Sequence, residues 1–269
     1  MSNYHIKHLE EYFQVYRKSV QNPEAFWEEI AEEHFVWRSK WDRVLNWDFT
    51  KPEIKWFEGA ELNITENCLD RHLPTKRNNT AIIFEPNDPN EEAQHITYGQ
   101  LHESVCRMAN VLKENGIKKG DRVCVYLPMI PELAYTVLAC ARVGAIHSVV
   151  FAGFSSNALA TRINDCDCKM VITSDGSYRG NKIIDLKGIV DVALEDCPGV
   201  EKVLVTKRTG GKVKMKKNRD FWLKPLLDEA YADNDAERMK SEDPLFILYT
   251  SGSTGKPKGM VHTCAGYMV

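Results

Sequence analysis

From Thr97 to Thr206 the chain alternates helical and strand-like segments with short connections, and that alternation admits few folds. Thr97 and Gln100 have the spacing of a capping box. Leu101, Val105, Met108, Ala109 and Leu112 then recur at helical intervals until Gly116 ends the run. Residues 122–127 read as a strand. A helix with Pro131 in its first turn runs to about Arg142, and a buried strand covers 145–151. Ser155 or Ser156 opens the next helix, 169–174 is a strand, 183–194 is amphipathic, and 202–206 is a further strand. Four strands in sequence with helices between them predict an α/β fold: a doubly wound, mostly parallel sheet layered with helices.

The flanks differ. Residues 1–60 form an extension with Trp27, Trp37, Trp41, Trp47 and Trp56 spread through it. Within it Glu24, Glu28, Glu29, Glu32 and Glu33 share a helical segment with Phe26, Trp27 and Ile30, which predicts a solvated acidic face opposite a docked aromatic one. Residues 61–240 are assigned to the first α/β subdomain. Between Lys207 and Arg219 lie seven basic and no acidic residues, read as a surface hairpin or excursion because no aromatic residue interleaves with the charges. Asp228 to Asp243, with seven acidic and two basic side chains, reads as a linker to a second sheet beginning at Leu245. Residues 241–269 are thus expected to start a second α/β subdomain.

A formal net charge of −3 supplies no global attraction for nucleic acid or anionic membrane, so anion binding must be local. The eight cysteines contain no C-x-x-C pair and no zinc spacing, and most sit in apolar runs, which suits a reducing compartment. The amino terminus lacks the apolar stretch of a signal peptide. The longest apolar region, 127–154, is broken by Pro128, Pro131, Glu132, Arg142 and His147. A cytoplasmic protein with no membrane and no nucleic-acid partner is expected.

The most specific local signal is LFILYTSGSTGKPKG at 245–259, a strand-like run opening into a loop of hydroxyls, glycines and lysines. Gly252, Gly255 and Gly259 let backbone approach an anion. Successive N–H groups, the hydroxyls of Thr250, Ser251, Ser253 and Thr254, and the ammonium of Lys256 or Lys258 supply donors. A Walker A motif is excluded, because Pro257 stands where that motif needs a hydroxyl after the lysine. The chain stops ten residues after Gly259, which reads as a boundary in mid-fold.

YTSGSTGKPKG at 249–259 resembles the signature loop of adenylate-forming enzymes, the superfamily of acyl-CoA synthetases, luciferases and peptide-synthetase adenylation domains. The resemblance extends to 53–73, similar to the amino-terminal signature of acetyl-CoA synthetases, and to VVFAGFSSNALATRI at 149–163 and DGSYRGNK at 175–182. NCLDRHL at 67–73 tilts the choice toward acetate over the related propionyl- and acetoacetyl-CoA synthetases. The chain thus resembles the amino-terminal part of an acetyl-CoA synthetase.

That resemblance implies an acid–thiol ligase. Acetate and Mg-ATP give acetyl-adenylate and pyrophosphate, and the thiol of CoA then displaces AMP. Thr250, Ser251, Gly252, Ser253, Thr254, Gly255 and Lys256 would hold the ATP phosphates, with Ser253 or Thr254 facing Mg2+ or its water shell; no metal-ligand set is assigned. Phe151, Ala152, Gly153, Arg179 and Lys182 would form the CoA side, Phe151 packing on adenine and Arg179 or Lys182 pairing with the 3′-phosphate. Ala152 replaces a glycine common in the family, and Lys182 offers a point charge where some relatives carry arginine. No catalytic residue is expected within the chain. His147 reads as a satisfied histidine beside the core, and a carboxylate ionised at pH 7 needs no general base. The acetate pocket, hinge and catalytic lysine are expected beyond Val269, so the isolated chain is expected to be inactive. The alternatives are another short-chain acyl-CoA synthetase or a non-catalytic scaffold binding CoA or nucleotide.

Overall fold

The computed structural model describes residues 6–251 and 255–269. Helices α1 (Leu9–Gln21) and α2 (Pro23–His34) come first, the second capped by the side chain of Asn22, which accepts from the Ala25 N–H at 3.3 Å. A hairpin of β1 (Arg43–Asp48) and β2 (Glu53–Glu58) follows, with Leu45 opposite Trp56. Phe57 is fully enclosed, with Trp37 and Trp41 ring centres 5.1 and 5.0 Å away, and Trp27 packs edge-on to Trp56. The docked aromatic face expected of α2 is therefore present. Trp47, by contrast, lies exposed on β1.

The chain continues through β3 (Glu61–Leu62), α3 (Ile64–Cys68), α4 (Leu73–Lys76) and the antiparallel pair β4 (Thr80–Phe84) and β5 (Gln94–Thr97). Then comes α5 (Tyr98–Glu114), whose Thr97–Gln100 capping box forms as predicted. The alternation follows: β6 (Arg122–Tyr126), α6 (Pro131–Val143), β7 (Ile146–Val149), α7 (Ser156–Asp165), β8 (Met170–Ser174), the small hairpin β9 (Ser177–Arg179) and β10 (Lys182–Ile184), α8 (Leu186–Ala193) and β11 (Lys202–Thr206). Gly144 ends α6 in the left-handed region at φ 73°, and the Ser155 hydroxyl caps α7. Last are β12 (Asp220–Trp222), α9 (Leu223–Glu229), β13 (Met239–Lys240), β14 (Pro244–Thr250) and β15 (Lys258–Thr263).

Seven strands form one sheet in the order β12-β11-β8-β6-β7-β14-β15, parallel except for β15. β8 is buried along its whole length, as a parallel strand covered on both faces must be. α5, α6 and α9 cover one face, and α7 and α8 the other. The predicted doubly wound class is the one observed.

One expectation is corrected. The strand predicted to open a second sheet at Leu245 instead joins the first, β14 lying parallel to β7 with Phe246 opposite His147. The acidic run before it does not lead away from the sheet. Arg142 Nε donates to Asn234 O at 2.8 Å, and Asn63 Nδ2 donates to Glu237 O at 2.9 Å, so the segment is drawn back over the end of α6. The extension docks here too: Trp56 N–H donates to Glu242 at 2.8 Å, and Ala265 shares the core around Phe57. The basic run is an excursion, not a hairpin, because β11 and β12 pair in parallel.

Candidate functional site

In an open parallel sheet, ligands bind outside the carboxyl ends of the strands where the strand order switches direction. β6 is flanked by β7 on one side and β8 on the other, so the switch lies there. A cavity of about 350 Å³ opens at this edge, its walls built from Leu127–Ile130 after β6, Val149–Ala152 at the end of β7, Ser177–Arg179 on β9 and Arg208 after β11. Loop and strand-end residues from three neighbouring strands thus meet around one opening, held in place by the sheet beneath them.

Phe151, Ala152 and Arg179, three of the five residues expected on the CoA side, line this one cavity. Phe151 is 63% exposed and meets Phe154 edge-on. Gly153 lies beside them: a Cβ there would stand 2.8 Å from Phe151 Cε1 and 3.6 Å from Arg179 Nη1, so a side chain would press on the ring and the guanidinium. Lys182 pairs with Arg179 across the β9–β10 hairpin but is not part of the wall. Neither Arg179 nor Lys182 makes an ion pair among the described residues. A wider cleft of about 720 Å³ near Lys207, Lys212 and Trp222 contains none of the expected residues.

β14 runs parallel to β7, so its carboxyl end, Thr250, reaches the same edge of the sheet. Thr250 pairs with Lys258 of β15, and Ser251 to Pro257 link the two strands. Thr250, Ser251, Gly255 and Lys256 are exposed, and Gly255 adopts φ 78°, a conformation that suits glycine. Gly252, Ser253 and Thr254 lie outside the described residues. Exposed hydroxyl and ammonium groups at a strand end are the donors that phosphate oxygens need, and oxygen donors suit Mg2+ carried in with a nucleotide.

His147 is not the satisfied histidine expected beside the core: its buried Nδ1 has no hydrogen-bond partner among the described residues. Burial pushes His147 down to about 4, so its ring is neutral at pH 7. It packs on Phe246, which also stacks on His262 at 4.5 Å and meets Tyr267 edge-on at 5.5 Å. Seven of the eight cysteines are buried thiols, and Cys68 is exposed.

Sequence reading missed Asp175. Its carboxylate accepts from the N–H groups of Gly176, Arg208, Thr209 and Gly210 at 2.6–3.0 Å, clamping the start of the basic excursion against the cavity. Burial alone would raise this carboxyl, but the four backbone donors outweigh it and hold it below the ordinary range. Arg208, read as one charge of a surface run, is another wall residue that only the fold reveals.

A sequence model described as AMP-binding enzyme matches residues 69–269, and one described as acetyl-coenzyme A synthetase N-terminus matches residues 12–68. The chain is 55% identical over 258 residues to the acetyl-coenzyme A synthetase of Alkalilimnicola ehrlichii, covering 96% of this chain and 40% of that protein. It is 53% identical over 268 residues to that of Saccharophagus degradans, covering 100% of this chain and 41% of the relative. The chain therefore spans about two fifths of the length of these curated relatives. The solved structure of an acetoacetyl-CoA synthetase from Streptomyces lividans superposes with a TM-score of 0.85 at 29% identity, over 94% of this chain and 38% of that one. With the strand that leads into the 249–259 motif and the switch-point cavity on one sheet edge, and a family match running from residue 69 to residue 269, the chain belongs to the AMP-binding enzyme family.

Proposed function

We propose that the chain supplies the CoA-facing cavity and the ATP phosphate loop of an AMP-forming acetyl-CoA synthetase. The observation that carries this reading is the gathering of Phe151, Ala152 and Arg179 around one cavity at the sheet edge to which β14 delivers Thr250. The acid is assigned as acetate from the relatives at 53–55% identity.

In the first half-reaction an acetate oxygen attacks the α-phosphorus of ATP and pyrophosphate leaves. The carboxylate is already ionised, so the contribution of this chain is to hold and neutralise phosphate through Thr250 to Lys256. Mg2+ enters with ATP and shields charge on its phosphates. In the second half-reaction the CoA sulfur attacks the acetyl carbon and AMP leaves. Here Phe151 provides an apolar face for adenine, Gly153 permits close approach, and Arg179, with Lys182 across the hairpin, meets phosphate.

The test is calorimetric titration with CoA and, separately, Mg-ATP, on the wild-type chain and on Arg179→Ala and Lys256→Ala. CoA binding is expected to weaken in the first variant and nucleotide binding in the second. A folded chain indifferent to both ligands would overturn the assignment of these sites.

A further inference from the structure

The cavity wall contains a guanidinium held in an unusual way. Arg208 leaves the end of β11 with its backbone N–H fixed on Asp175 at 2.7 Å. Its side chain is only 13% exposed and lies between two aromatic rings, 5.5 Å from the centre of Phe84 and 5.3 Å from that of Tyr178. Its one acidic partner among the described residues is Glu91, whose carboxylate accepts from Nη1 at 3.2 and 3.4 Å. Nη2 is buried and has no hydrogen-bond partner among the described residues.

These facts together describe a binding group waiting for an acceptor. Charge-assisted guanidinium bonds normally close to about 2.7–2.9 Å, so the Glu91 pair is long, and Glu91 itself is 41% exposed and readily released to water. The two rings hold the guanidinium in place while one of its amino groups goes unused, an arrangement costly for a structural arginine. Arg208 shares the wall with Tyr178 and Arg179 of the β9 strand and with Glu85 and Asn87 of the segment that also carries Glu91. A phosphoryl group entering the cavity would meet Arg179 at its rim and Arg208 in its wall, with two anionic oxygens to offer where Glu91 now offers long contacts.

We infer that Arg208 is a phosphate-binding residue of the CoA cavity, and that Glu91 holds its place while the cavity is empty. The inference rests on the CoA reading above. It gives opposite signs to two substitutions: removing the guanidinium weakens CoA, whereas removing the charge of its competitor strengthens it.

The experiment is titration of the chain with CoA and with 3′-dephospho-CoA, using wild type, Arg179→Ala, Arg208→Ala, Arg208→Lys and Glu91→Gln, with thermal melts to verify folding. Arg208→Ala is expected to weaken CoA by about tenfold or more, and Glu91→Gln to tighten it by about two- to fivefold. Arg208→Lys, which keeps charge without the fork, should fall between wild type and Arg208→Ala and serves if the alanine variant does not fold. A loss that persists with dephospho-CoA assigns Arg208 to the diphosphate, and one that disappears assigns it to the 3′-phosphate. Unchanged CoA affinity in both Arg208 variants, or weakening by Glu91→Gln, overturns the inference while a loss in Arg179→Ala keeps the CoA reading. No CoA binding by the folded wild type overturns both.

Discussion

The phenol of Tyr249 donates to Asp165 Oδ2 at 2.5 Å, tying the strand that delivers the proposed phosphate loop to the last residue of α7. The Tyr249 hydroxyl oxygen also lies 3.0 Å from Cys166 Sγ, and the guanidinium of Arg162 packs 5.3 Å from the tyrosine ring centre. Tyr249 also faces Gly259 across the β14–β15 pair, where an added Cβ would come within 3.1 Å of Ile247 and 3.3 Å of the tyrosine ring. Burial and the Asp165 carboxylate both push the phenol's ionisation upward, so it remains a donor at any ordinary pH. Tyr249→Phe should cost about 1 kcal/mol. Amide hydrogen exchange on β15 should accelerate relative to β6; unchanged protection would show that the strand pairing alone holds the loop.

Two histidines shape opposite limbs of the stability profile. Asp70 and Cys106 raise His102 to about 9, with Arg142 completing the cluster through its bidentate pair with Asp70. A raised histidine contributes fully below its ordinary value of about 6.5 and loses that contribution as pH climbs through 9. His147, lowered to about 4 by burial, acts in the other direction: its contribution is present above about 6.5 and is lost as pH falls toward 4. His102→Gln should flatten the alkaline decline in melting temperature, and His147→Gln the acid one. A melting profile whose limbs ignore these substitutions would refute the assignment.

Lys187 is fully buried, its ammonium 2.7 Å from Asp191, 2.8 Å from Asp220 and 3.0 Å from the Lys214 carbonyl. It anchors the basic excursion to α8. Lys187→Met would leave the enclosed Asp220 carboxylate with Arg219 as its remaining cation, at a cost of about 3–5 kcal/mol. Chemical denaturation measures this directly, and a loss below about 1 kcal/mol would mean that water takes the place of the ammonium.

Asp175→Ala would strand four N–H groups and should cost about 2–4 kcal/mol. Because the folded carboxyl is held low, its contribution is present above pH of about 4 and fades as pH falls further. CoA affinity should drop in the same variant, since Arg208 loses its backbone anchor. Asp175→Asn, which keeps one acceptor oxygen, should recover part of both.

The repeating helix and strand segments were legible because each carries its own period and its own caps: the Thr97–Gln100 box, Pro131 at the start of α6 and Ser155 before α7 are local devices. The placement of β14 was not. A strand's partner depends on which sheet edge is open, and nothing in residues 244–250 encodes that β7 has a free side. The acidic character of 228–243 suggested a solvated linker, whereas Asn63 and Arg142, more than ninety residues upstream of the segment's end, bind its carbonyls.

The same division holds at the site. By itself the sequence determined the α/β class, the family and the loop proposed to meet phosphate, because these rest on short-range period, capping and a contiguous motif. Only the tertiary structure decided that Phe151, Ala152 and Arg179 share one cavity and that Arg208 stands in its wall beneath Glu91. Those residues come from separate strand ends, and their approach is set by the order and twist of a closed-packed sheet, a long-range property that no local stretch of sequence carries.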